Sequence, residues 1–252
     1  MTSFDLTGKI AVVTGGAKGM GEAHSRLLAS RGAHVIIADI DEAGDALAAD
    51  IVAGGDKASF ERLDVSQEES WSALMDRLLN RFDKLDILIN NAGIAIVRAI
   101  DETSVADFDK LFDVNVKGVF LGCKSALKGM RQAGGGSIVN ISSLAGLKSG
   151  VPKSSLYGAT KGAIRVFTKS AAVEFAPYKI RVNSVHPGLI LTELSRPYLK
   201  DPVMFRTFLG GTAFDRAGEP SEVAEVVAFL ASGASSYVTG AEISVDGGWA
   251  AN

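Results

Sequence analysis

A doubly wound α/β fold of seven mostly parallel strands, with helices on both faces, is predicted from three features of this 252-residue chain. Apolar runs of strand length alternate with segments whose apolar residues recur every three or four positions, which is the signature of βαβ units and hence of a parallel sheet. No Pro/Ser-rich linker or shift of composition interrupts that alternation, so residues 1–252 read as a single domain. A glycine-bearing turn follows the first strand directly and opens a helix, as at the ligand-binding end of such sheets.

Taken in order, IAVVT (10–14) is the first strand, and MGEAHSRLLASRG has the one-sided apolar spacing of a helix packed on a sheet. HVIIAD (34–39) and ASFERLDV (58–65) are the second and third strands, followed by a helix in SWSALMDRLLNRF. LDILINN (85–91), SIVNIS (137–142), IRVNSVH (180–186) and AEISVDG (241–247) complete the seven, and a helix is expected over 154–176. Residues 189–218 interrupt the regularity: they are too long for an ordinary connection and rich in Leu, Met and Phe, and a loop of that kind suits a substrate lid.

Composition removes several classes of function. With 47% hydrophobic and 22% charged residues, and no apolar run of bilayer length, a membrane partner is not expected. The start MTSFDLTGKI has neither a secretory nor a transit pattern, so a cytoplasmic location is the expectation. A net charge of −3 without a long Lys/Arg cluster gives no footprint for nucleic acid. The single cysteine, Cys123, excludes an intrachain disulfide and reads as a small core residue, and no His or Cys spacing suggests a metal site.

Motifs supply the chemistry. In TGGAKGMG, Gly15, Gly19 and Gly21 let backbone approach a pyrophosphate at a helix N-terminus, where unpaired amides and the helix dipole favour its charge. The spacing is neither G-x-G-x-x-G nor a Walker loop. Asp39, ending the second strand, stands where a carboxylate would accept ribose hydroxyls and repel a 2′-phosphate, which favours NAD over NADP. Its alternative is an N-cap for the next helix. Lys18 either meets such a phosphate or is a solvated charge. Tyr157 and Lys161 fall one helical turn apart, so an ammonium can lie near a phenol and favour its ionised form against desolvation.

Together these residues resemble the short-chain dehydrogenase/reductase family, in its compact single-domain branch. TGGAKGMG, Asn90-Asn91-Ala92-Gly93, Asn115, the ISS run ending in Ser143, Tyr157-x-x-x-Lys161 and Pro187-Gly188-x-x-x-Thr192 occur in the family's order across nearly the whole chain. The resemblance implies a Rossmann-type sheet, a nicotinamide cofactor and a homotetramer. It places Lys18 and Met20 in the glycine loop against the cofactor, Asp64 and Val65 beside the adenine, and Asn91, Ala92 and Gly93 near the riboses. Pro187, Gly188, Ile190 and Thr192 look like the segment that holds the carboxamide and pyrophosphate.

Within the same resemblance, Tyr157 is the general acid of ketone reduction and the general base of alcohol oxidation. Lys161 supports it and holds ribose hydroxyls, Ser143 bonds the substrate oxygen, and Asn115 holds a water leading from Lys161. The expected reaction is reversible oxidation of an apolar, possibly cyclic or steroidal, secondary alcohol. That substrate class rests on Ala95, Ile96, Val97, Leu147, Val151, Leu194, Tyr198, Met204, Phe205 and Phe208, which form either a pocket or core, with no evident clamp for phosphate or carboxylate. A 3-oxoacyl carrier-protein reductase is the alternative, kept open by Arg131 and its neighbouring cations, and a non-catalytic nucleotide-binding protein of this fold is the other. The three histidines read as poor catalytic candidates, with His186 near the cofactor through its backbone only.

Overall fold

The computed structural model describes residues 4–148, 152–200 and 202–251, with the side chains of Pro197, Tyr198, Pro202, Val203, Met204 and Phe208 outside the description. Its centre is a seven-stranded sheet in the order β3-β2-β1-β4-β5-β6-β7. The strands are β1 (Ile10–Thr14), β2 (His34–Asp39), β3 (Lys57–Arg62), β4 (Ile87–Asn90), β5 (Gly136–Ile141), β6 (Ile180–Pro187) and β7 (Glu242–Val245). Every pairing is parallel. The third strand stops at Arg62, short of the expected end, because Asp64 turns the chain by accepting the Ser66 amide at 2.9 Å.

Helices α1 (Gly19–Ser30), α2 (Ala43–Ala53), α3 (Glu68–Phe82), α4 (Val105–Phe112), α5 (Gly118–Gln132) and α6 (Ser155–Phe175) alternate with the strands. Alternate strand residues feed two apolar layers, as a sheet covered on both faces requires. Val12 and Leu88 face one layer with Trp71, Leu74 and Ile164 from α3 and α6. Ala11, Val13, Ile87 and Ile89 face the other, with Leu28 and Leu47 from α1 and α2. Strand order reverses between β1 and β4, and the crevice there, at the carboxyl ends, is where such sheets take ligands.

The expected lid, 189–218, is less irregular than its sequence predicts. It contains two short helices, α7 (Arg196–Leu199) and α8 (Pro202–Leu209), before α9 (Pro220–Ala231) returns to the sheet. Its base is pinned, since Leu189 and Ile190 are buried, the Gly218 amide donates to Leu189 O and the Leu191 amide donates to Gly218 O.

Candidate active site

The cofactor side of the crevice is built by backbone packed against backbone. Gly15 has φ +58° and a Cβ there would lie 2.8 Å from Ala92 Cα, while a Cβ on Gly21 would meet Gly15 O at 1.8 Å. Only glycine admits that approach. Thr14 Oγ1 accepts the amides of Asn91 and Ala92 at 3.0 Å each, and Asn91 Nδ2 donates to Thr14 O and Gly15 O. The turns after β1 and β4 are therefore one rigid unit. Gly19, at φ +56°, lies against Thr192, whose side chain would stand 3.5 Å from an added Cβ.

Asp39 takes the Ala17 amide at 3.0 Å on Oδ2 and the Asp41 amide at 3.0 Å on Oδ1, tying the end of β2 to the glycine loop. It is not the N-cap of α2: Glu42 occupies that place, and the Ala43 amide is taken by Asp41. Lys18 pairs with Asp41 at 2.5 Å on the surface, and the hydrogen bond to Asp41 holds its ammonium above the usual range. Asp64 bonds the Ser66 amide and hydroxyl, while Val65 is buried against the site where a Gly118 Cβ would stand, 3.0 Å away.

The other side gathers around α6. Its underside is locked to the sheet by a buried chain of amides: Asn90 Nδ2 donates to Asn140 Oδ1 at 2.8 Å, Asn140 Nδ2 to Thr168 Oγ1 at 2.9 Å, and Thr168 to Ile164 O at 2.7 Å. Such fully paired interior networks fix one arrangement. Cys123 lies against it, 3.6 Å from Asn90 Nδ2, and burial pushes its thiol up to about 12, so the cysteine is an inert core group. Ser142 Oγ donates to Lys161 O at 2.9 Å, joining the β5 end to α6.

Lys161 is buried with its Nζ donating to Ile141 O at 3.0 Å and standing 5.7 Å from the Tyr157 ring centre. Burial pulls its ammonium down to about 8. Asn115 sits in a π-helical turn, Asp113–Lys117, where Oδ1 accepts the Ile94 amide and Nδ2 donates to Ile94 O and Thr160 Oγ1. Ser143 Oγ accepts the Ala145 amide at 3.1 Å, which leaves its proton to be donated elsewhere.

Ser143 and Tyr157 line one cavity of roughly 430 Å³. Met20, Pro187, Gly188, Ile190 and Thr192 line it too, so expected cofactor and catalytic positions open on the same space. Of the apolar residues expected there, Ala95, Val97 and Leu194 are present; Ile96, Leu147 and Phe205 are half-buried and outside the lining. Val151 and the side chains of Tyr198, Met204 and Phe208 lie outside the described residues. Leu144, Leu189 and Trp249 add apolar walls that the sequence reading did not name. Lys148 is also in the lining, so the pocket carries a cation where none was expected.

Comparison with known proteins fits this geometry. A family model described as enoyl-(acyl carrier protein) reductase matches residues 15–250. The cyclopentanol dehydrogenase of a Comamonas species is 46% identical over 97% of this chain and 98% of its own. The chain belongs to the short-chain dehydrogenase/reductase family. A 3-alpha-(or 20-beta)-hydroxysteroid dehydrogenase of Mycobacterium bovis is 46% identical, over 96% of this chain and 90% of its own. The crystal structure of a short-chain type dehydrogenase/reductase from Mycobacterium marinum superposes with a TM-score of 0.93 at 37% identity, over 98% and 97% of the two chains. This short-chain dehydrogenase/reductase is an oxidoreductase, and dehydrogenases of its family use nicotinamide cofactors.

The residues present fit such a cofactor. The turn bearing Gly15, Gly19 and Gly21 is close-packed bare backbone that opens the 12-residue helix α1, with Gly19 facing Thr192. Gly93 leaves room between Asn115 and Lys161: a Cβ there would stand 3.3 Å from Asn115 Oδ1 and 3.5 Å from Lys161 Nζ. Among the described residues, no helix is long and apolar enough to cross a membrane.

Proposed function

We propose that this enzyme interconverts an apolar, cyclic secondary alcohol and its ketone using NAD(H). The observation that carries the reading is the cavity in which Ser143 and Tyr157 meet walls made by Ala95, Val97, Leu144, Leu189, Leu194 and Trp249. Burying a hydrocarbon ring there gains about 25 cal/mol per Å² of apolar surface. Cyclopentanol and hydroxysteroid relatives at 46% identity support the same substrate class.

In oxidation, a nicotinamide cofactor held at this site would supply the acceptor for the hydride of the alcohol carbon. Tyr157 takes the hydroxyl proton, and the Lys161 ammonium beneath it favours the phenolate. Ser143 donates its proton to the substrate oxygen, a bond worth most where that oxygen carries charge. Asn115, whose Oδ1 keeps a second lone pair beside its bond from Ile94, would hold a water toward Lys161. Gly15, Lys18, Gly19, Met20, Gly21, Asp39, Asp64, Val65, Asn91, Ala92, Gly93, Pro187, Gly188, Ile190 and Thr192 make up the cofactor site, with Lys161 on the ribose.

NAD is preferred because Asp39 and Asp41 put two carboxylates at the end of β2, and Lys18 is already paired with one of them. Docking of an acidic carrier is the weaker reading: Lys124 is engaged with Glu68 at 2.6 Å and Arg131 lies 3.7 Å above the Tyr178 ring. Exposed Val105, Phe108, Phe120, Val166 and Val173 on α4 to α6 support assembly into a homotetramer. The test is steady-state turnover of cyclopentanol, a hydroxysteroid and a hydroxycyclohexane carboxylate with NAD and NADP. Preference for cyclopentanol or steroid with NAD is expected. Superior turnover of the carboxylate would assign Lys148 a substrate anion and defeat the apolar reading, and superior use of NADP would defeat the Asp39 argument.

A further inference from the structure

His186 is fully buried on β6, and both of its ring nitrogens have a partner. Nδ1 stands 3.1 Å from Ser143 O. A carbonyl only accepts, so Nδ1 carries the proton. Burial holds the imidazole below its ordinary pKa, outweighing the pull of the Ser143 carbonyl and of Glu242. The ring is then neutral and Nε2 is a bare acceptor. Ser184 Oγ, 2.8 Å away, donates to it. Ala241 O, the other acceptor near that hydroxyl at 3.3 Å, already receives the Ser184 amide at 3.0 Å, so turning the hydroxyl to the ring orphans nothing. One polar chain therefore runs from Ser184 through His186 to the peptide of Ser143.

We propose that His186 is a positioning residue for Ser143, fixed in its Nδ1-protonated tautomer by Ser184 so that the Ser143 hydroxyl is held on the substrate oxygen. The peptide it grips has two other restraints on the same short turn: Ser143 O also accepts the Gly146 amide at 2.9 Å, and Ser143 Oγ accepts that of Ala145. Those two bonds set the shape of the turn, and neither ties it to the sheet. His186 does that, reaching across from the neighbouring strand, while Ser142 is tied separately to Val185 O and Lys161 O. A shift of even 1 Å in a substrate-positioning group costs about a hundredfold in rate. The inference rests on the reading of Ser143 as the substrate's hydrogen-bond donor.

The test has two parts, both on the full chain. First, nitrogen-15 NMR of the wild-type imidazoles reads the tautomer with no substrate: protonation of His186 at Nδ1 is expected, and protonation at Nε2 overturns the proposal whatever the enzyme turns over. Second, H186N, H186Q and H186L are compared for cyclopentanol oxidation and for NADH binding by fluorescence. An Asn amide places an N–H where Nδ1 stands; a Gln amide reaches toward Ser184 instead. H186L is expected to lower kcat by roughly 10- to 100-fold with NADH affinity unchanged, H186N to recover most of it and H186Q to fail. Equal losses in all three, or loss of NADH binding with kcat, would mean a purely structural histidine and overturn the proposal. Silence of the wild type toward every alcohol would defeat the substrate reading while the tautomer still decides this one.

Discussion

The two sides of the crevice are built on different physics. On the cofactor side, turns after β1, β2 and β4 are tied together by side chains bonding backbone, as Asn91, Thr14 and Asp39 do, with glycines where backbones touch. Nothing there can shift without breaking several bonds. On the substrate side, after β6, the chain carries Leu194 and Phe214 half to mostly exposed and hangs from a base pinned near Leu189 and Gly218. A template for an invariant ligand belongs on the first, and selectivity among substrates on the second. Loops of low local stability are where ligand-gated motion is found.

The largest way to break this contrast is Gly21→Val. Its Cβ would fall 1.8 Å from Gly15 O, so NADH binding by fluorescence should weaken by more than about a hundredfold, with a lower melting temperature as well. Next is Asp39→Ala, which should move the NADP-to-NAD ratio of kcat/KM upward by roughly 10- to 100-fold while Tyr157 chemistry persists. Unchanged preference would remove Asp39 from the ribose.

Between the halves sits the Tyr157–Lys161 pair, with Lys161 Nζ 5.7 Å from the Tyr157 ring centre. Burial draws Lys161 to about 8, so its ammonium is present below that pH and lost above it. Oxidation, which needs the Tyr157 phenolate, should rise with pH below about 8, where the Lys161 ammonium is present to support it, and reduction should fall over the same range. Lys161→Met should carry the rising limb toward the ordinary phenol value of about 10. A wild-type limb already near that value would contradict the coupling. The smallest effect is Leu194→Ala, expected to change the ratio of steroid to cyclopentanol turnover by about tenfold with NADH affinity unaltered, as one pocket side chain does.

Legibility in the sequence follows the same division. Glycines that allow contact between backbones, and a phenol and ammonium one turn apart, leave a spacing that reads directly, and β1 and β2 fall where their apolar runs place them. The edge strand β3 ends short of where its letters suggest, because Leu63 and Val65 continue the apolar pattern past Arg62, where the register with β2 ends and the Asp64 turn begins. Residues 189–218 look irregular in sequence because Pro197 and Pro202 stand in the first turns of the two short helices. That the ring of His186 has partners is legible, since a polar ring within a strand buried on both faces must find them, but only the fold shows that they are Ser184 and Ser143. Trp249 gave no signal at all, since only the fold brings the chain's last turn to the cavity.

On the proposed mechanism, Tyr157 moves the substrate proton in a site whose cofactor half stands independently of it. The direct measurement is nicotinamide absorbance during cyclopentanol oxidation by wild type and Tyr157→Phe, with NADH affinity measured on both. A fall in kcat of about 10³-fold or more is expected, with NADH affinity within a few-fold of wild type. A Phe variant that keeps its rate, or one that loses cofactor binding together with its rate, would contradict that mechanism.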